Sequence, residues 1–266
     1  MLAEWPCDAL REPRFHTLAP ILAALDCNTF PNSDALNALS NRYDLRNAKG
    51  LPLRFETQTV QTYERAVFET GAVPTRADNW HDLFNALAWF AFPLAKALLN
   101  RLHIQELAKQ LSPMRSTARD ALTVYDESGM VILCADGRLK ALLRDFRWKE
   151  LFWMQRDSVR QSMRFYVFGH ALHEQLLRPY AGITAKAVIV DADIETLTLD
   201  PLAALALVDR AVCDYFEEPG APRIARGFQP VPVLGIPDWW PENTQESYYE
   251  DTRYFRPGRR INKAPL

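Results

Sequence analysis

Two histidine-bearing segments are where this sequence has the residue types for chemistry. In Asn79-Trp80-His81-Asp82-Leu83-Phe84-Asn85, His81 and Asn85 are four residues apart, so a helix places them on one face with Trp89 a turn further along. An imidazole oriented by an amide or a carboxylate is the arrangement of a general base or a metal ligand. Asp82 follows Asn79 by three residues, the spacing of an N-terminal cap, and an acid in a first turn is also favoured by the helix dipole. Asp82 is therefore a cap first and a catalytic candidate second. In Phe168-Gly169-His170-Ala171-Leu172-His173-Glu174, His170 opens a helix after a strand and a glycine, where backbone N–H groups can hold an anion and lower an imidazole pKa. The order H-x-x-H-E departs from H-E-x-x-H, whose histidines must be at i and i+4 with Glu after the first, so a metalloprotease of that type is a poor fit.

Other residues extend the set. Lys96, Asn100 and His103 fall at i, i+4 and i+7 on one helix face, and a fold at Pro93 would bring that face against His81 and Asn85. Arg119-Asp120, together with Asp126-Glu127, offers carboxylates for metal-assisted hydrolysis, although Asp126-Glu127-Ser128-Gly129 also has the composition of a hairpin turn. The catalytic candidates are thus His81, Asn85, Asp82 and His170. Lys96, Asn100, His103, Arg119 and Trp148 are binding candidates, and a divalent metal, if one is used, would take His81, Asp120 or His170. A shared site requires His81 and His170 to come within hydrogen-bond or ligand distance.

The elements that must position them follow from periodicity. Helices are expected over about 14–25, with Pro13 in the first turn, and over 34–42, capped by Asn32 or Ser33. The period shifts to two near Leu53-Arg54-Phe55-Glu56, and residues 63–75 read either as a hairpin turning at Thr70-Gly71 or as a helix ending at Gly71. A helix from Asn79 meets Pro93, and a second runs from about 94 to 111. Leu122, Val124, Val131 and Leu133 alternate about the polar turn, which predicts a hairpin. A helix then carries Leu139, Leu142 and Leu143, and the aromatic, basic run from Phe146 to Trp153 continues it. Strands at 164–168 and 187–190 flank the His170 helix, and Asp200-Pro201 opens a long final helix. Eight prolines lie in residues 219–266, yet Trp239, Trp240, Tyr248, Tyr249, Tyr254 and Phe255 make that segment too aromatic for a disordered tail.

This pattern predicts an α+β fold, with helices packed on a small mixed or antiparallel sheet and an irregular, aromatic-rich C-terminal segment wrapping the body. We expect a single domain over 1–266, comprising a helical part (1–50), an α+β body (51–218) and the wrap (219–266). No dinucleotide-binding or P-loop glycine motif occurs, nor a G-x-S-x-G elbow.

A formal charge of −2 and a pI near 6.2 give no strong nucleic-acid signal. Cys7, Cys27, Cys134 and Cys213 are scattered without metal-ligand or paired spacing, and are expected to be reduced thiols. Charged residues interrupt residues 1–13, which argues against a secretory signal, and the apolar run 86–95 falls short of the roughly 20 residues of a bilayer span. A cytoplasmic protein without membrane insertion is expected.

Thr75-Arg76, Asn79-Trp80-His81-Asp82-Leu83-Phe84-Asn85-Ala86-Leu87, Phe92-Pro93, Lys96, Arg119-Asp120-Ala121-Leu122-Thr123, Phe168-Gly169-His170-Ala171-Leu172 and Val233-Leu234-Gly235-Ile236-Pro237 together resemble a bacterial family described only as a domain of unknown function. The resemblance runs from about residue 50 to the end and implies one body. It carries no activity. Two functions stay open: a hydrolase-type enzyme with a His-centred general-base or metal site, and a non-catalytic module binding a protein or RNA through Arg147-Trp148-Lys149, Trp239-Trp240 and the arginines of 256–260.

Overall fold

The computed structural model describes residues 8–25, 29–57, 62–109, 116–218 and 224–258. Cys7, Cys27, Arg259 and Arg260 lie outside the described residues. After 3-10 turns at Ala9–Arg11 and Pro13–Phe15, the chain forms α1 (Ala19–Leu25), α2 (Ser33–Tyr43), β1 (Arg54–Glu56), α3 (Tyr63–Thr70) and β2 (Ala72–Pro74). Next come α4 (Trp80–Ala91), α5 (Pro93–Lys109), α6 (Thr117–Ser128), β3 (Gly129–Cys134) and α7 (Gly137–Arg144). The remainder comprises α8 (Arg156–Ser162), β4 (Met163–Val167), α9 (His170–Leu177), β5 (Thr184–Asp191), α10 (Pro201–Glu217) and β6 (Gln229–Pro232).

The fold is α+β. A four-stranded mixed sheet in the order β4-β3-β5-β6 pairs β3 antiparallel with β4 and parallel with β5, and a separate parallel pair joins β1 to β2. Strand β3 is central and every one of its residues is buried, as a strand covered on both faces must be. Prolines 230 and 232 fall on the edge strand β6, where a missing N–H costs no ladder bond. Buried apolar side chains from Leu10 to Phe255 form one continuous cluster.

Residues 63–70 are the helix of the two alternatives, stopped by Gly71 at φ +75°, where an added Cβ would lie 2.3 Å from the Pro52 carbonyl oxygen. The expected first helix is shorter at its start. Pro20 lies in the first turn of α1, where its missing N–H is tolerated, and the residues before it form turns.

The hairpin expected over 121–133 is not formed. Ser116 caps α6 by accepting from the Arg119 N–H at 3.2 Å, and Ala121, Leu122 and Tyr125 make a buried helical face. The apparent alternation of Leu122 and Val124 was two positions of a helix read with a strand's period. Asp126-Glu127 therefore sits in the last turn of α6, where its side chains have fixed directions. The run from Phe146 also breaks from α7: Phe146 has φ +60°, and the chain resumes as a π-helical turn at Glu150–Met154.

At the C-terminus the aromatics dock as expected. The Tyr254 hydroxyl accepts from Leu234 N and donates to the Ile183 carbonyl, both at 2.9 Å, and the fully buried Asn243 amide donates to the carbonyls of Leu234 and Ile236. This network holds the segment without regular ladders.

Among the described residues no single helix is long and apolar enough to cross a membrane. The apolar run of α4 is core, and α4 turns into α5 by 113° at Pro93. The N–H groups of Leu94 and Ala95, orphaned at that break, donate to the Asp209 carboxylate of α10 at 2.9 and 2.7 Å.

Candidate functional site

The bend between α4 and α5, closed off by α3, α6 and α9, encloses a cavity of about 660 Å³. His81, Asp82, Asn85 and Trp89 from α4 line it together with Lys96, Asn100 and His103 from α5, and both polar faces read from spacing meet there. His170 enters from α9, and Asp126 from α6. Gly169 is what lets α9 start so close to α6, because an added Cβ would lie 2.3 Å from the Glu127 carbonyl oxygen.

Four side chains stand in line. Glu174 Oε2 is 2.9 Å from His81 Nδ1, His81 Nε2 is 3.1 Å from His170 Nε2, and His170 Nδ1 is 3.7 Å from Asp126 Oδ2. The rings meet edge to face with centroids 4.5 Å apart. Two neutral imidazoles supply two N–H donors, one toward Glu174 and one between the rings, which leaves the His170 Nδ1 lone pair facing a carboxylate. One further proton turns that repulsion into attraction. Nδ1 of His170 is buried without a hydrogen-bond partner, and burial, with Asp126 acting against it and Lys96 and His81 adding to it, depresses the His170 pKa to about 4. His170 is thus neutral at pH 7.

Behind the pair lies a fixed network. Lys96 Nζ, 3% exposed, donates to Asp126 Oδ1 at 2.5 Å and to Asn85 Oδ1 at 2.9 Å. Because Lys96 only donates, the Asn85 amide is oriented: its Nδ2 donates to the Tyr63 hydroxyl at 2.9 Å, as does Trp89 Nε1 at 3.0 Å. Two incoming donors fill the acceptor sites of that hydroxyl, so its own proton is directed to Asn85 Oδ1, at a long 3.3 Å, or to the cavity that Tyr63 lines. Burial would raise the Asp126 pKa, but Lys96, with His170 and His103 adding, holds it below the usual carboxylate value.

The cap is Asn79, not Asp82: Asn79 Oδ1 accepts from the Asp82 N–H at 3.0 Å. The Asp82 carboxylate is taken by Arg76, through Nε at 2.8 Å, Nη2 at 2.9 Å and the backbone N–H at 2.8 Å. Arg119 and Asp120 are on α6 outside the cavity lining, Arg119 buried and Asp120 exposed. Trp148 is 4% exposed and donates to the Arg256 carbonyl at 2.9 Å, so it anchors the C-terminal segment away from the cavity. Trp239 is likewise buried, and Arg160 is held by Asp238 beside it.

Tyr63 and Arg76 line the site without having been assigned to it from the sequence, Glu127 lines it beside Asp126, and Glu174 backs it. Glu174 was legible in principle, being four residues after His170 and so on the same face of α9. Two imidazole nitrogens converge in a way that a metal could use, but among the described residues no group of three or more His, Cys, Asp or Glu side chains forms a metal-binding cluster.

Residues 53–259 match the family described as a protein of unknown function, DUF3025. The chain belongs to that family. No curated protein and no solved structure matches it. The matched span contains every residue of the His81–His170 cavity, so the site is carried on the part of the chain that defines DUF3025 membership.

Proposed function

We propose that this DUF3025 protein is an intracellular hydrolase, folded as one domain, in which His81 is the general base and acid and His170 is paired with it to hold it in place. The observation that carries the reading is the 3.1 Å approach of the two Nε2 atoms inside a cavity, with a carboxylate behind each ring. His81, 39% exposed at the side chain and backed by Glu174, is placed to take a proton from water. It takes that proton at Nε2, the acceptor of the shared contact, and returns the same proton to the leaving group, while His170, 9% exposed at the side chain and facing Asp126, stays neutral and holds the His81 ring in place. The Tyr63 hydroxyl lines the same wall and can turn its proton from Asn85 to an oxyanion, beside the positive charge of Lys96, which stays bound to Asp126 and Asn85. Cys134 and Cys213 are buried free thiols, in keeping with a reducing compartment.

The test is turnover of chromogenic ester, amide and phosphodiester substrates by the wild-type, His81→Gln and His170→Gln proteins, with elemental analysis of each. Loss of about 10²–10⁴ in kcat in both variants, at nearly constant KM, is expected. Turnover unchanged in either variant contradicts the pair. A stoichiometric metal that the His81→Gln protein loses would replace proton transfer by metal-activated water.

Of the tryptophans on which a binding module would rest, Trp240 is half-buried. Trp148 and Trp239 are core, so they supply no stacking surface.

A further inference from the structure

Beyond the histidine pair, the cavity lining carries a second chemistry. Its cations are both spoken for, Arg76 by Asp82 and Lys96 by Asp126, whereas the carboxylates of Glu64 and Glu127 line the cavity without an ion pair among the described residues. Asn100 and His103, one turn apart on α5, are 5% and 7% exposed and line the same cavity. The Asn100 amide is oriented by donation from Nδ2 to the Glu64 carbonyl at 2.9 Å, which leaves Oδ1 a buried acceptor with no partner. His103 Nδ1 is also buried and unpartnered, and burial depresses the ring's pKa, with Asp126 and Glu64 acting against it. A neutral ring can present that nitrogen as a lone pair.

Acceptors desolvated in this way are costly unless a donor arrives, and the uncompensated charge beside them is negative. We propose that Glu64, Asn100 and His103 form a subsite for a protonated primary amine, so that the substrate of the histidine pair carries an ammonium group at one end. From Lys96, Asn100 lies one helical turn along α5, about 6 Å by helix rise. That spacing suits a short aliphatic chain between the ammonium and the reacting bond.

The inference rests on reading the cavity as a substrate site, but its test needs no turnover. NMR titrations of the full chain with 1,4-diaminobutane, butylamine, butanol and butyrate are compared for wild type, Glu64→Gln, Asn100→Leu and His81→Gln. A probe this small is expected to bind in roughly the millimolar range. The amines should bind more tightly than butanol, and butyrate most weakly. Glu64→Gln should weaken the amines about tenfold and leave butanol unchanged, Asn100→Leu should weaken both amines, and His81→Gln should leave amine binding as in wild type. Retained amine binding alongside unchanged turnover in His81→Gln would sink the acid–base reading and keep the subsite. Butyrate binding as tightly as butylamine, no saturable amine binding, or amine affinity in folded Glu64→Gln within twofold of wild type would each overturn the subsite.

Discussion

Lowering the pH from 7 to 4 is expected to remove roughly 6 kcal/mol of stability through His170 and His173 alone. Burial depresses their pKa values to about 4 and about 3, from an unfolded value near 6.5. The sign follows from proton counts: between about pH 6.5 and the folded values, the unfolded chain binds protons that the native chain refuses, so stability is fully present above 6.5 and falls with pH. His16 and His103, also depressed by burial, push the same way. Asp209 opposes them. Burial raises it to about 6 against the two backbone N–H groups it accepts, so its protonation below that pH returns about 2 kcal/mol. Native proteins have about 5–15 kcal/mol to lose, so a net loss of about 4 kcal/mol by pH 4 should show as a markedly lowered urea midpoint there.

His173 makes the effect separable from the site. Its ring packs against Phe15 and Phe84, at centroid distances of 6.2 and 5.6 Å, in a three-ring cluster, with Nε2 buried and unpartnered. Its Nδ1 contacts the Gly169 carbonyl at 3.1 Å, which also accepts the His173 backbone N–H. Phenylalanine retains the cluster and leaves that carbonyl satisfied. His173→Phe should change stability by no more than about 1 kcal/mol at pH 7 and gain about 3 kcal/mol relative to wild type at pH 4. Urea denaturation across this range measures both. A loss of stability at pH 4 unmoved by the substitution would show that His173 is not what titrates.

The second large effect is expected at Lys96. Removing its ammonium in Lys96→Met leaves the Asp126 carboxylate and Asn85 Oδ1 without the donor that both share, at a cost of about 3–5 kcal/mol. Removing the charge at both positions, in Lys96→Met/Asp126→Leu, should recover much of that loss, because no uncompensated ion is left buried. The double-mutant cycle should give a coupling of at least about 2 kcal/mol. Coupling near zero would mean that the two charges are solvated independently.

Much of this arrangement was legible because helical spacing is a strong signal. His81 with Asn85, and Lys96 with Asn100 and His103, shared faces on sequence grounds, and Pro93 marked the bend that brings those faces together. The Asn79 cap was correctly read from its offset to Asp82. Asp126 was hidden because four turn-forming residues ending in Gly129 describe the end of a helix entering a strand as well as they describe a hairpin. Placing Asp126 required the Ser116 cap, a single hydroxyl whose weight emerges only once Ala121, Leu122 and Tyr125 are seen to pack. Tyr63 was beyond reach for a different reason. Its hydroxyl is fixed by Asn85 and Trp89, residues 22 and 26 positions later, and pairing at that range is a property of the fold. Trp148 went the other way: an aromatic between two cations suggested a contact surface, but its indole closes the C-terminal segment onto the body.

The most direct test of the histidine pair is proton-detected ¹⁵N NMR of the histidine side chains near pH 7. The geometry predicts one slowly exchanging N–H proton correlated with Nε2 of both His81 and His170, lost in His81→Gln while the His173 signals remain. Two independent Nε2 resonances, each exchanging freely with water, would contradict the shared proton and with it the proposed chemistry.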